Sequence, residues 1–79
     1  MNWYGNSLGK EWGPEITRSL TIAFEDALQR AKDLGIERGR ENKPAGEALA
    51  LYIINRAING IYDPKILADG ALRYLRRKD

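Results

Sequence analysis

Apolar residues recur at intervals of three and four along the first half of the chain: Ile16, Leu20, Phe24, Ala27, Leu28, Ala31 and Leu34. On a helix these positions form one stripe, with Arg18, Glu25, Asp26 and Gln29 on the opposite side. Gly13-Pro14-Glu15 supplies the start: proline tolerates the first helical position and an acid complements the positive end of the dipole. Gly35 supplies the stop, as a left-handed cap residue. The pattern predicts a helix over about 14–34, carrying Asp26 and Arg30 as a favourably ordered pair four residues apart.

A second pattern begins at Pro44 and runs through AGEALALYIINRAIN to about residue 59. Leu49, Ala50, Leu51, Ile53, Ile54, Ala57, Ile58 and Ile61 cover about half the helical circumference, wider than the ~100° stripe of an ordinary surface helix. Such a helix needs neighbours on two sides. Asn55, Arg56 and Asn59 beside Tyr52 form the narrow polar remainder.

The stretch GIYDPKIL, residues 60–67, joins a stop to a start. Gly60 suits the residue just past a helix end, Asp63 an N-cap and Pro64 the first turn of a third helix over about 64–77. Leu67, Ala71, Tyr74 and Leu75 share one face of it, and Asp69 and Arg73 read as an exposed pair. Gly70, in mid-helix, costs about 1 kcal/mol against alanine, which points to close approach by another helix. Between the first two helices, GIERGRENK (35–43) alternates charges around two glycines and reads as a flexible connection. No strand, repeat or low-complexity tract is legible.

The expected fold is therefore all-α: a compact three-helix bundle in a single domain, 14–79, preceded by an irregular arm, 1–13, rich in glycine and aromatic residues. Trp3, Tyr4 and Trp12 in that arm are suited to covering the open edge of a small core, this chain's or a partner's. At 79 residues the chain has room for one core, and a domain of this size buries only about 60–65% of its unfolded surface. Cysteine and histidine are both absent. Disulfide staples and the usual zinc ligand sets are thereby removed, and stability must come from helix packing or a partner chain.

Thirteen basic and eleven acidic residues give a net charge of +2, a mixed surface that argues only weakly for nucleic acid. No apolar run reaches the 18 or so residues a membrane helix needs. The opening residues have neither the basic start nor the apolar centre of a signal peptide, so a cytoplasmic protein is expected. Met1 fits the start of a complete natural chain.

Chemistry is sparse. There is no histidine to titrate near neutrality, no thiol nucleophile and no glycine-rich phosphate loop; Ser7, Ser19 and the tyrosines have no evident base, so no enzyme and no cofactor are expected. Asp26, Gln29 and Asp33 offer oxygen atoms along one helix face, a pattern a solvated surface also produces. A DNA-reading helix-turn-helix across 44–77 fits poorly. With Gly60 as the turn glycine, the position needing a small residue holds Arg56, and three positions that motif buries hold Asn55, Asn59 and Asp69; only Ile61 and Ile66 match.

The apolar surplus remains. A protein interface is expected on the second helix, at Leu51, Ile54 and Ile58, with contributions from Ile22, Trp3 and Trp12, the partner being a second copy of the chain in a homodimer or another helical protein. The alternative is a nucleic-acid-binding regulator that uses Arg38, Arg40 and Lys43 in the loop 36–43 with Arg73, Arg76 and Arg77 at the end of the third helix.

Overall fold

The computed structural model describes residues 12–76, and these residues contain three α-helices in mutual contact: α1 (Pro14–Asp33), α2 (Ala45–Ile58) and α3 (Pro64–Arg76). The chain is an all-α three-helix bundle, with element bounds within about two residues of those expected from periodicity and caps.

Both helix ends that precede a connection close in the same way. Gly35 (φ 76°) and Gly60 (φ 90°) occupy the left-handed region. The N–H of Ile36 donates to the carbonyl of Ala31 at 2.9 Å, and that of Ile61 to the carbonyl of Arg56 at 3.1 Å. Each is accompanied by a bond from the glycine N–H, to Lys32 and Ala57 respectively. Carbonyls orphaned at a helix end are satisfied by this paired pattern, and only a residue without a Cβ adopts its pivot freely. At the start of α3 the carboxylate of Asp63 accepts from the N–H groups of Lys65 (2.9 Å) and Ile66 (3.2 Å). The corner at 60–64 is thus two caps placed back to back.

Alanine dominates the core. Among the described residues, Ala23, Ala27, Ala31, Ala45, Ala48, Ala57, Ala68 and Ala71 are buried together with four larger residues, Leu49, Ile53, Leu67 and Leu75. Among the described residues only Leu49 and Leu67 are large side chains that are fully enclosed. Small faces let helix backbones approach closely, and the space between them then admits few large side chains. The stripe of α1 is accordingly shifted: Ala23, Ala27 and Ala31 form its floor, while Leu20, Phe24 and Leu28 are half-buried along the rim. Leu34, expected on the stripe, is 53% exposed because it is the C-cap residue, where the chain turns away from the bundle.

The segment between α1 and α2 is a closed, bonded loop rather than the flexible connection its composition suggests. Gly39 N–H donates to Lys43 O at 2.8 Å, Asn42 N–H to Gly39 O at 3.2 Å, and Ala45 N–H to Glu37 O at 3.0 Å. Arg38 and Pro44 form an isolated antiparallel bridge around a 3-10 turn, Arg40–Asn42. Glu41 (φ 58°) and Asn42 (φ 62°) are both left-handed, a conformation that costs a non-glycine residue about 1–2 kcal/mol and that the loop's bonds hold in place. Gly39 anchors this loop to the core. A Cβ there would lie 2.6 Å from Leu75 Cδ1 and 3.0 Å from the Cβ of Ala48, both on buried residues.

Two stability outcomes follow from this packing. Gly39→Ala must displace Leu75 or the loop, and urea titration is expected to show a loss of about 1–3 kcal/mol. Leu49→Ala empties one of the two enclosed large positions and is expected to cost about 2–5 kcal/mol, a large share of the ~5–15 kcal/mol that holds a domain folded.

Candidate functional site

On the outer face of α2, Leu51, Ile54 and Ile58 lie three and four residues apart and so form one stripe. Leu51 is 52% exposed, Ile54 is 45% exposed, and Ile58 is half-buried. The breadth of the helix explains them: its other flanks supply Ala45, Ala48, Leu49, Ile53 and Ala57 to the core. Helices α1 and α3 cover those flanks and leave the third side uncovered.

Ile54 also belongs to a second feature. A groove of about 360 Å³ runs between α1 and α2, with Trp12, Leu20 and Phe24 along one wall and Ala50, Ile53 and Ile54 along the other. Trp12 is half-buried, and its indole Nε1–H is buried without a hydrogen-bond partner. The structure therefore brings Trp12 and Ile54 together. Ile22, 48% exposed, stands apart: five residues at 100° each place it about 140° round α1 from the core residue Ala27, among polar neighbours. Trp3 lies outside the described residues.

The cations expected to meet nucleic acid divide into two groups. Contact of Gly39 with Leu75 sets the loop against the C-terminal half of α3. Within the loop, however, Lys43 is 3.9 Å from Glu41 and 3.8 Å from Glu47, and Arg38 donates to the carbonyl of Asn42 at 3.2 Å. The side chain of Arg40 and the whole of Arg77 lie outside the described residues. Arg73 and Arg76 are exposed on α3, where with Arg30, Asp69 and Leu72 they line a shallow depression of about 510 Å³. Ile66, a residue a helix-turn-helix would bury, is 60% exposed, which removes one of the two matches to that motif.

Arg30 carries a contact that periodicity alone does not foretell. It bridges α1 to α3 by donating to Asp69 Oδ1 at 2.8 Å, while its other guanidinium nitrogen is 3.1 Å from Asp26 Oδ2. Asp69, expected to pair along α3 with Arg73, reaches across the bundle to Arg30 and pairs along α3 with Lys65 instead, whose Nζ is 3.7 Å away. The hydrogen bond from Arg30 holds the Asp69 carboxyl below its ordinary value of 3.8, helped by the charges of Lys65 and Arg73 and opposed by partial desolvation. Arg30 is raised in turn, by its bond to Asp69 first and then by the charge of Asp26. Along α1, Gln29 Nε2 donates to Asp33 Oδ1 at 3.0 Å, so Asp26, Gln29 and Asp33 spend their polar atoms on neighbouring side chains. Among the described residues no group of three or more acidic, histidine or cysteine side chains is placed to hold a metal ion, and no helix is long and apolar enough to cross a membrane.

A fourth cluster joins α2 to α3. The rings of Tyr52 and Tyr74 lie 5.3 Å apart between centroids, tilted by 33°, and the guanidinium of Arg56 sits 5.7 Å above the Tyr52 ring. Gly70 makes the arrangement possible, since a Cβ there would fall 3.1 Å from Tyr52 Cζ and closer still to its hydroxyl oxygen. The mid-helix glycine is explained by this contact; its partner is a side chain rather than a helix backbone.

No protein-family model, curated protein or solved structure matches this chain.

Because the folded-state pKa of Asp69 lies below its unfolded value, its contribution to stability is complete above pH 3.8 and is lost as pH falls through the lowered folded value. Denaturant midpoints measured from neutral pH down to pH 2 should therefore fall more steeply for the wild type than for Asp69→Asn. Equal slopes would mean that the Arg30–Asp69 bridge contributes nothing to the fold.

Proposed function

We propose that the chain is a small, non-enzymatic, cytoplasmic interaction protein that works as a homodimer, pairing through the outer face of α2. The observation that carries this reading is the stripe Leu51, Ile54 and Ile58, whose two exposed members stand beside an apolar groove, whereas Ile22, Leu34 and Ile66, the other exposed large apolar side chains among the described residues, lie outside that row. Exposed aliphatic residues taken singly are ordinary; a helical row of three continuous with a groove is the form an interface takes.

A two-fold antiparallel pairing puts Leu51 of one copy opposite Ile58 of its partner, with Ile54 near the axis, so each patch is complementary to itself. The 14 residues of α2 span about 21 Å, and that face alone is small against the ~1,200–2,000 Å² total of a stable interface. The pairing therefore draws in the adjoining groove, with Trp12 and Phe24 as aromatic anchors at its edge.

The alternative reading, nucleic-acid binding through the loop 36–43, is weakened by the acids that engage Lys43. Its remaining support is the exposed pair Arg73 and Arg76.

Light scattering behind size exclusion tests the proposal. The expected mass is twice 8.9 kDa at high protein concentration. Ile54→Glu removes an apolar side chain worth about 1.5–3 kcal/mol when buried, and is expected to weaken pairing by tenfold or more while leaving the helical circular dichroism unchanged. Ile22→Glu, outside the stripe, should leave the mass as it is. A wild type that stays monomeric at every concentration overturns the reading.

A further inference from the structure

Asn59 and Gly60 form the only asparagine–glycine step in the sequence. It lies where α2 ends: Asn59 is the C-cap residue, Gly60 is the left-handed residue after it (φ 90°), and both are exposed. Such a step carries its own chemistry. The glycine nitrogen, on losing its proton, attacks the side-chain carbonyl carbon of the asparagine. A bond forms between Gly60 N and Asn59 Cγ, the Cγ–Nδ2 bond breaks, and Nδ2 leaves as ammonia, taking up through solvent the proton that the glycine nitrogen gave. Water then opens the succinimide ring at either carbonyl, giving aspartate or isoaspartate. Nothing is oxidised or reduced, and water is the only co-reactant. Glycine favours the first step because no Cβ shields its nitrogen from the incoming carbon.

The closed cap opposes each part of that step. Gly60 N–H donates to the carbonyl of Ala57 at 2.9 Å, so the proton that must leave is held. Asn59 Nδ2 donates to the carbonyl of Asn55 at 2.8 Å, which draws the side chain back along α2 and away from the next residue. The backbone of Asn59 (φ −88°, ψ 11°) is close to helical, whereas ring closure needs the glycine nitrogen swung round to the side of Cβ. Ile61 N–H, bonded to the carbonyl of Arg56 at 3.1 Å, ties down the far side of the glycine and resists that rotation. We infer that Asn59 is a self-modification site, converted to aspartate and isoaspartate at a rate set by opening of the α2 cap. The product loosens the cap in its turn. A carboxylate cannot donate to the carbonyl of Asn55, its charge stands at the negative end of the helix dipole, and isoaspartate also lengthens the backbone by a methylene. Each event thus weakens the closure that delayed it. The bonds concerned lie within one chain, so the inference does not rest on the pairing of α2.

Trypsin gives the test a clean readout, because the peptide from Ala57 to Lys65 contains Asn59 and no other asparagine or glutamine. The full chain is incubated folded, and unfolded in guanidinium chloride, in the same mildly alkaline buffer, and that peptide is followed by mass spectrometry for replacement of the amide by an acid. The unfolded chain should convert at Asn59 into both isomeric products, faster than at Asn42 or Asn55. Folding should slow conversion at Asn59 by about tenfold or more, as a reaction confined to a rarely populated open state requires. Gly60→Ala, compared in the unfolded chain so that strain in the cap plays no part, should react several-fold more slowly. Asn59→Asp, standing for the product, should unfold at lower denaturant than the wild type. The inference is overturned if Asn59 converts equally fast in the folded and unfolded chain, if the unfolded chain reacts at Asn55 before Asn59, if aspartate is the sole product, as direct hydrolysis without the ring would give, or if Gly60→Ala reacts like the wild type. An unchanged midpoint for Asn59→Asp overturns the claim that the product loosens the cap.

Discussion

Close contact between alanine faces is the constraint on which the rest of the molecule depends. Ala23, Ala27 and Ala31 repeat every fourth residue along α1 and meet alanines from α2 and α3 at the centre of the bundle. Helices that approach over such faces leave little volume between them, and among the described residues this one encloses only two large side chains completely. The larger aliphatic and aromatic residues are displaced outward. Some, such as Phe24 and Leu28, seal the rim; others, Leu51 and Ile54 among them, have nowhere to go but solvent or a partner. The apolar surplus of the sequence is thus a geometric result of a thin core.

Both surface features grow from that constraint. The outer stripe of α2 is what two flanking helices cannot cover. The aromatic ridge exists because Gly70 gives Tyr52 room to lie across α3, where its ring meets Tyr74. The two surfaces share a border, since Leu51 stands on the stripe and also lines the depression that holds Arg56. The Arg30–Asp69 bridge bears on the charge of α3: it ties Asp69 to α1, and among the described residues Arg73 makes no ion pair.

Much of the fold was legible because local chemistry specifies it. Periodicity, proline at the first turn, glycine past the last and an aspartate cap set three helices and the corner between the last two. The excess breadth of α2 was readable as a count of apolar positions, and its uncovered part lies on Leu51, Ile54 and Ile58. What was not legible depends on contacts distant in sequence. Arg30 and Asp69 are 39 residues apart, and each has a nearer partner on its own helix that a local reading prefers. The loop 36–43 looked unstructured because its order comes from backbone bonds and from Gly39 against Leu75, neither of which leaves a periodic trace. Leu34 obeyed the stripe's spacing, yet the cap turns the chain away there. The Tyr52–Tyr74 ridge had one signal, the unexplained Gly70, which marked a close approach without naming what approached.

The central claim is that the thin core leaves one particular stripe to be covered by a second copy. Methyl resonances of isoleucine and leucine, followed by NMR from micromolar to millimolar protein, test it residue by residue. The expected result is that the methyl groups of Leu51, Ile54 and Ile58 shift or broaden with concentration, while those of Ile22 and Ile66, also exposed but outside the stripe, stay fixed. Uniform behaviour of all five, whether every one moves or none does, would contradict it.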